Sequence, residues 1–209
     1  QSDIYHIISY SFRKINIFLA IILVIILLTT QGCVEKEAVP APKPFGYFRI
    51  SLPEAQYQKW DSILPCTFDY SQLANIKIDP QEDGKYWIDL TYPQFNASMK
   101  ITYFPVRNNL RELIENDEKM VMFHVDRRKA DDVQYSVIED PKAQIYGQIY
   151  DIIGKEVASP FQFWVTDSSQ HYVRGALYFN FTPNNDSLAP VIQYLRKDLL
   201  HIVETWSWK

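Results

Sequence analysis

Alternating polar and apolar residues predict a sheet built mainly from sequential antiparallel strands. The clearest pair is Tyr86–Tyr92 and Ala97–Phe104, two alternating segments that a short Pro-Gln-Phe-Asn loop joins into a hairpin. In the second segment Met99, Ile101 and Tyr103 share one face. Further strands are predicted at Phe45–Ile50, Cys66–Tyr70, Asp132–Ile138, Gln144–Ile153, Ala158–Thr166 and His171–Thr182. Turn residues between the last four of these strands favour an antiparallel meander.

Two other segments carry apolar residues at helical spacing. The first runs from Asn108 to about His124, and its stripe consists of Leu110, Leu113, Ile114, Val121 and His124. The second runs from Ser187 to Trp206, and its stripe consists of Leu188, Val191, Ile192, Leu195, Leu199, Ile202, Val203 and Trp206. Two main helices packed on one face of an antiparallel sheet give an α+β fold.

The first 33 residues have the pattern of an export signal. Arg13 and Lys14 precede an almost wholly apolar run, Ile15–Leu28, which is shorter than the roughly 20 residues of a permanent membrane span. Gly32 and Cys33 follow, and this ending resembles the lipobox of bacterial lipoproteins. We expect a signal peptide over 1–32, a lipidated Cys33 that anchors the chain to a membrane, a Pro-rich tether over 33–44 and one globular domain over 45–209. An uncleaved signal anchor and an ordinary signal peptide remain alternatives.

Composition and charge narrow the possible partners. The chain has 209 residues, a net charge of −4 and no stripe of Lys and Arg, so nucleic acid is not an expected partner. It is rich in aromatic residues, with 14 Tyr, 12 Phe and 5 Trp, and several predicted strands carry them on both faces. Either helices cover the second face or that face binds a partner, and the first interpretation is favoured. If Cys33 is lipidated, Cys66 has no partner within the chain and is expected to be buried and inert.

Few residue patterns suggest chemistry. Asp167, Ser168 and His171 lie close together in sequence, but triad members usually converge from separate elements, so a polar turn is favoured. His201 and Glu204 are spaced as two ligands on one helix, which is too few for a metal site. Neither a Gly-rich phosphate loop nor a zinc-type Cys/His cluster is present in the sequence. The sequence therefore predicts no catalytic residues, metal or cofactor.

A basic cluster follows the first predicted helix. His124, Arg127, Arg128 and Lys129 belong to the stretch HVDRRK. A solvated helix end is the favoured interpretation, because cations suit the negative end of the helix dipole. The alternative is a charged surface on which a partner docks.

Several longer segments together resemble the gliding-motility lipoprotein family GldD of the Bacteroidota. They include the RGALYFN segment within His171–Asn180, the DSLAP segment that ends at Pro190, Val137–Gly154 and the final Glu204–Lys209. The resemblance spans nearly all of the chain after Cys33, in order and at the expected spacing.

The resemblance implies a non-catalytic accessory or assembly component of the gliding machinery, linked to type IX protein secretion, with other envelope proteins of these systems as partners. The expected location is the periplasmic face of the outer membrane. A periplasmic glycan- or lipid-binding module and an envelope hydrolase are the alternatives. Periplasmic O-glycosylation in that phylum targets Asp-Ser or Asp-Thr before a small or aliphatic residue, which makes Ser62 and Ser187 candidate sites.

Overall fold

The computed structural model describes residues 51–128, 130–181 and 184–209. The predicted strand Phe45–Ile50, the signal peptide, Cys33 and the tether lie outside these residues. The strands are β1 Tyr57–Asp61, β2 Cys66–Ser71, β3 Asn75–Pro80, β4 Tyr86–Tyr92, β5 Ala97–Pro105, β6 Asp132–Asp140, β7 Ile145–Ile153, β8 Phe161–Thr166, β9 His171–Phe179 and β10 Ser207–Trp208. The two helices are α1 Leu110–Arg128 and α2 Asn185–Glu204.

The strands form two antiparallel sheets. The larger sheet has the order β3-β4-β5-β9-β8-β7-β6, and the smaller has the order β1-β2-β10. Helix α1 carries the chain from β5, in the middle of the larger sheet, to β6 at its edge. The meander β6 to β9 then returns strand by strand until β9 pairs with β5. The predicted α+β class and the predicted meander are both confirmed.

One face of the larger sheet forms the main core with α2 and β2. In β5 the predicted set Met99, Ile101 and Tyr103 is buried on this face. The apolar stripe of α2 is buried against it, with Leu195 and Leu199 completely inaccessible to solvent. Burial of this stripe explains why α2 forms, since packing of an apolar face stabilises most protein helices.

Helix α1 lies on the opposite face, so the prediction that both helices share one face is wrong. It contacts β7, β8 and β9. The residues of these strands that interact with α1, such as Tyr150 and Tyr172, alternate with those that face α2, such as Ile149 and Val173. An amphipathic stripe shows that a helix packs on a sheet, but it does not show which face, because that depends on the path of the chain through space.

Several helices and strands end at residues other than those predicted. Helix α1 continues to Arg128, and α2 ends at Glu204 rather than Trp206. The Thr205 hydroxyl donates to the His201 carbonyl at 2.7 Å and closes the last turn, after which Ser207 and Trp208 pair with β2. Strands β1 and β3 were not predicted. Each lies at the edge of a sheet and gains its strand conformation from its partner rather than from a strong pattern of its own.

Candidate functional site

A buried polar cluster fixes α1 to the sheet. Asp117 lies on the inner side of the helix, where the Tyr172 hydroxyl donates to its carboxylate and the Arg174 guanidinium pairs with it at 3.2 Å. Burial raises the pKa of the Asp117 carboxyl, and Arg174 and Tyr172 oppose that rise. Moving α1 away from the sheet would leave the buried Asp117 carboxylate without its partners, which is unfavourable. The cluster therefore favours one position of the helix.

The outer side of α1 and the neighbouring edge of the sheet expose large apolar side chains. Met122 and Phe123 are each 52% exposed on α1, and Tyr135 and Val137 are 68% and 72% exposed on β6. Tyr135 and Val137 alternate with the β6 residues that face the core side, so they lie on the same face of the sheet as α1. We call these four residues the α1–β6 surface. Exposed apolar groups that share one face of a protein typically mark a site of protein interaction.

Strand β6 is also an open edge in the part of the chain that the structure describes. It is nine residues long, pairs with β7 along its whole length, and ends the strand order of the larger sheet. The outward backbone N–H and C=O groups of such a strand can pair with an additional strand.

The basic cluster predicted from the sequence lies between the two parts of this surface in the chain, after the residues on α1 and before those on β6. His124, Arg127 and Arg128 belong to the last two turns of α1, immediately before β6. Their side chains, and Lys129 as a whole, lie outside the described part of the structure. Their role in docking stays a prediction.

The residues of the suspected triad form a turn, as the favoured interpretation predicted. The Asp167 carboxylate accepts hydrogen bonds from the backbone N–H groups of Ser169, Gln170 and His171, each within 2.9 Å. Burial acts to raise the pKa of Asp167, but these hydrogen bonds outweigh it, and the pKa lies below the usual value. The His171 ring instead lies 2.8 Å from the Tyr103 hydroxyl. Asp167 therefore organises the β8–β9 turn and does not orient an imidazole.

His201 is likewise part of the packing between elements. Its ring stacks on Tyr57 with 3.6 Å between centroids, and its Nε2 atom lies 4.0 Å from Asp69. Among the residues that the structure describes, no group of three or more His, Cys, Asp or Glu side chains is arranged to hold a metal ion.

Asp151 and Asp167 lie near opposite ends of β8, so their carboxylates do not form a pair. Asp151 pairs in register with Phe161 at the start of β8, whereas Asp167 directly follows the last residue of that strand. Arg196 of α2 binds the Asp151 carboxylate in a bidentate pair, with Nε–Oδ1 at 2.6 Å and Nη2–Oδ2 at 2.7 Å. This ion pair was not predicted.

A cleft of about 790 Å³ opens beside the Asp151–Arg196 pair. It lies between the start of α2 and the ends of β6, β7 and β8. Its polar lining includes Asp131, Gln134, Lys155, Asn184, Asp186, Ser187 and Gln193, and its apolar lining includes Ile153, Pro160, Phe161, Ala189 and Ile192. The volume falls in the range of small-molecule binding sites.

A second buried carboxylate lies on α2. Asp198 is inaccessible to solvent, and the Tyr57 hydroxyl donates to its Oδ1 atom at 3.1 Å. Burial raises the pKa of Asp198, while hydrogen bonds from Ser71 and Tyr57 and the nearby His201 act against the rise. Asp198 links α2 to the small sheet, of which Tyr57 and Ser71 are members.

The remaining candidate residues are placed as follows. Ser62 is exposed in the turn between β1 and β2, while Ser187 is half-buried in the first turn of α2 on the wall of the cleft. Cys66 is a free thiol in the core, as expected, and burial raises its pKa to about 12.

The sequence did contain a signal for the two buried carboxylates. Asp117 falls on the helical stripe of α1 between Ile114 and Val121, and Asp198 falls between Leu195 and Ile202 on the stripe of α2. A lone acidic residue on a stripe that will be buried requires hydrogen-bond partners. The partners themselves, such as Tyr172 and Arg174, could not be read from the sequence because they lie more than 50 residues away.

Comparison with known proteins finds one matching family model. A family model described as gliding motility lipoprotein GldD matches residues 37–208. No curated protein matches the chain, and no solved structure matches it. Among the described residues, neither helix has the length and apolar character needed to cross a bilayer. The match covers most of the sequence, so the chain belongs to the GldD family of gliding motility lipoproteins, which are membrane-anchored proteins of the cell envelope.

Proposed function

We propose that this lipoprotein is a non-catalytic assembly component of the gliding machinery and of the associated type IX secretion system. The observation that carries the proposal is the α1–β6 surface: Tyr135 and Val137 are exposed on an edge strand, and Met122 and Phe123 are exposed on the helix that packs on the same face of the sheet. Exposed apolar side chains that share one face of a sheet are suited to a protein partner.

The position of this surface in the sheet supports a specific mode of binding. An extended segment of the partner pairs with β6, and its side chains contact Tyr135 and Val137 on the α1 side of the sheet. Self-association through the same edge is disfavoured. In an antiparallel pair of two β6 strands centred on Ser136, Asp132 of each strand would lie opposite Asp140 of the other. Like charges directly opposite one another are destabilising.

The lipid anchor determines where this surface acts. We place the lipid on Cys33 and the domain on the periplasmic face of the outer membrane, attached by the tether 33–44. Because the tether has only 12 residues, the domain can reach only partners that lie close to the bilayer, which restricts them to other envelope proteins. Gliding and type IX secretion components meet that condition.

Site-specific photo-crosslinking in living cells tests the role and the surface together. A photoreactive amino acid replaces Tyr135 on β6 or, as a matched control, Lys77 on β3. The control residue is exposed on the other edge strand, on the same face of the same sheet. We expect gliding or type IX components among the proteins cross-linked from position 135 and none from position 77.

Two outcomes would contradict the proposal. Equal cross-linking from positions 135 and 77 would remove the α1–β6 surface as the docking site. Recovery of no gliding or secretion component from either position, or from the native lipoprotein purified out of cross-linked cells, would remove the assembly role itself.

We also propose O-glycosylation at Ser62 in preference to Ser187. The hydroxyl of Ser62 lies in an exposed turn, whereas Ser187 is half-buried at the start of a helix. Intact-mass measurement of the native protein and of Ser62→Ala and Ser187→Ala variants tests this. The added glycan should disappear only from the Ser62 variant, and a native mass without any added hexose would end the idea.

A further inference from the structure

We propose that the cleft beside the Asp151–Arg196 pair binds a neutral oligosaccharide. It is bounded by α2 and by the ends of β6, β7 and β8, on the core side of the sheet. The α1–β6 surface lies on the opposite side, so this binding site is separate from the proposed protein-docking site.

The cleft is unsuited to an anion. Its one guanidinium, that of Arg196, is already neutralised by two short contacts to Asp151. The backbone N–H groups at the start of α2 also have acceptors. Asn185 donates to the Lys155 carbonyl at 2.8 Å, and Ser187 and Leu188 both donate to the Asn184 carbonyl at 3.0 Å. Three of the donors that could bind a phosphate at this helix N-terminus are therefore occupied.

The charged groups at the rim lead to the same conclusion. Asp131 and Asp186 line the cleft and are exposed, and Lys155 is the one exposed cation in its lining. An anionic ligand would meet more negative than positive charge there. A neutral ligand incurs no such repulsion.

The remaining groups suit a polyhydroxylated ligand. The side-chain amides of Asn184 and Gln193 are exposed at the cleft and each offers donors and an acceptor. The exposed Gln134 amide adds an acceptor and a second N–H, since one N–H already donates to Asp132 at 3.3 Å. Carboxylates at the rim add acceptors for hydroxyl groups. Ile192 and Pro160 supply an apolar wall for the C–H faces of a sugar ring. Sugars need this combination, because hydroxyl groups surround a ring whose two faces are partly apolar.

The frame of the cleft is held rigid from both sides. The Arg196 guanidinium lies 5.5 Å above the centre of the Phe161 ring while it binds Asp151, which ties α2 to β7 and β8. The Asn185 amide donates to the carbonyls of Gly154 and Val157 at 2.7 and 3.0 Å, which fixes the loop after β7 to the helix start. A site whose walls do not need to be ordered loses less free energy when it binds a ligand.

Saturation-transfer NMR and calorimetry on the full lipoprotein test the proposal. The protein is kept in a detergent without a sugar head group, and the probes are chitotetraose, maltotetraose, cellotetraose and inorganic phosphate. We expect at least one tetrasaccharide to bind and phosphate not to bind. Gln193→Ala should weaken the binding roughly tenfold, as expected for one lost hydrogen bond of about 1.4 kcal/mol. Ala189→Trp should abolish binding by filling the cleft.

A matched variant and a folding check keep the test decisive. Gln58→Ala removes the same kind of exposed side chain from β1 of the small sheet, and binding should be unchanged. Far-ultraviolet circular dichroism confirms that each variant is folded, and Gln193→Ala alone suffices if Ala189→Trp does not fold. The proposal is overturned if no tetrasaccharide binds at millimolar concentration, if phosphate displaces the sugar, or if Gln193→Ala binds as tightly as Gln58→Ala. None of these results depends on a protein partner, so failure here leaves the assembly role unaffected.

Discussion

The two helices of this protein pack on opposite faces of one sheet, and they are held there by different interactions. Helix α2 buries a continuous apolar stripe, including Leu195, Leu199 and Ile202, in the main core. Helix α1 buries Val121 and the polar Asp117, and it exposes Met122 and Phe123. The comparison shows that burial of a long apolar stripe stabilises α2, whereas a polar anchor and a small apolar cluster position α1 and leave Met122 and Phe123 at the surface.

The two faces of the larger sheet therefore differ in how much apolar area they bury. The face under α2 contains the core, so substitutions there should unfold the domain. Among the residues that the structure describes, α1 packs on this face over β7, β8 and β9, and Trp87 on β4 remains 53% exposed. The expectation that helices cover the aromatic second face is therefore right for Tyr172, which is buried, and wrong for Trp87.

The largest effect is expected from truncating the core helix. Leu195→Ala should lower the free energy of unfolding by about 3 kcal/mol, because it removes buried methyl groups and leaves a cavity. Urea denaturation monitored by circular dichroism measures the change. Met122→Ala on α1 is the control and should change stability by less than about 0.5 kcal/mol. Similar losses for both variants would mean that the two helices are held in the same way.

The next effect concerns the polar anchor of α1. Asp117→Ala should destabilise the domain by about 2 kcal/mol, because Arg174 and the Tyr172 hydroxyl would lose their buried partner. Hydrogen exchange should accelerate more in α1 than in α2. The exposed Glu115→Ala on the same helix serves as control and should leave both measurements nearly unchanged. If hydrogen exchange in Asp117→Ala accelerated more in α2 than in α1, Asp117 would not be what holds α1 on the sheet.

A smaller effect links pH to the buried carboxylate of α2. The pKa of Asp198 is raised in the folded state by burial, so the folded protein binds its proton more tightly than the unfolded chain. Its contribution to stability is fully present below the unfolded value of 3.8 and is lost as the pH rises through the raised folded value.

Comparison with Asp198→Asn isolates this contribution, because the other titrating groups are shared. The stability of the wild type relative to the variant should fall as the pH rises from about 3.8 into the neutral range. Urea denaturation at a series of pH values measures the difference. A difference that grows with pH would mean that the pKa is lowered rather than raised.

The smallest effect is expected on the half of the sheet that α1 does not cover. Lys100 and Asp89 form an exposed ion pair there at 2.7 Å. A double-mutant cycle with Lys100→Ala and Asp89→Ala should give a coupling energy below about 1 kcal/mol, because solvent and salt screen the pair. The same cycle on Asp117 and Arg174 should give a larger value. Equal coupling energies for the two pairs would show that burial under α1 does not strengthen the Asp117–Arg174 interaction.

Much of the fold could be predicted because its signals are local. The β4–β5 hairpin followed from strict alternation on both sides of a short loop, and its register is fixed by those patterns. Helix α2 was recognisable from a stripe that spans its length. Strands β1 and β3 were missed because neither contains a fully buried residue, so the apolar signal of each is weak.

The candidate sites were harder to predict because they depend on long-range contacts. Arg196 and Asp151 are 45 residues apart, and nothing in their surroundings in the sequence connects them. The cleft brings together residues from three separate segments around Asp131, Lys155 and Asn185. Sequence reasoning instead noticed Asp167, Ser168 and His171, which are close in the chain but form a turn.

The sequence by itself determined which residues alternate, which helices are amphipathic and which family the chain resembles, because these properties depend on neighbouring positions in the chain. Only the tertiary structure decided that α1 crosses to the face opposite α2, that β6 ends the strand order of the larger sheet, and that Asp117 meets Arg174. The physical reason is that periodicity specifies which side of an element is buried, while the path of the chain through space specifies what that side is buried against.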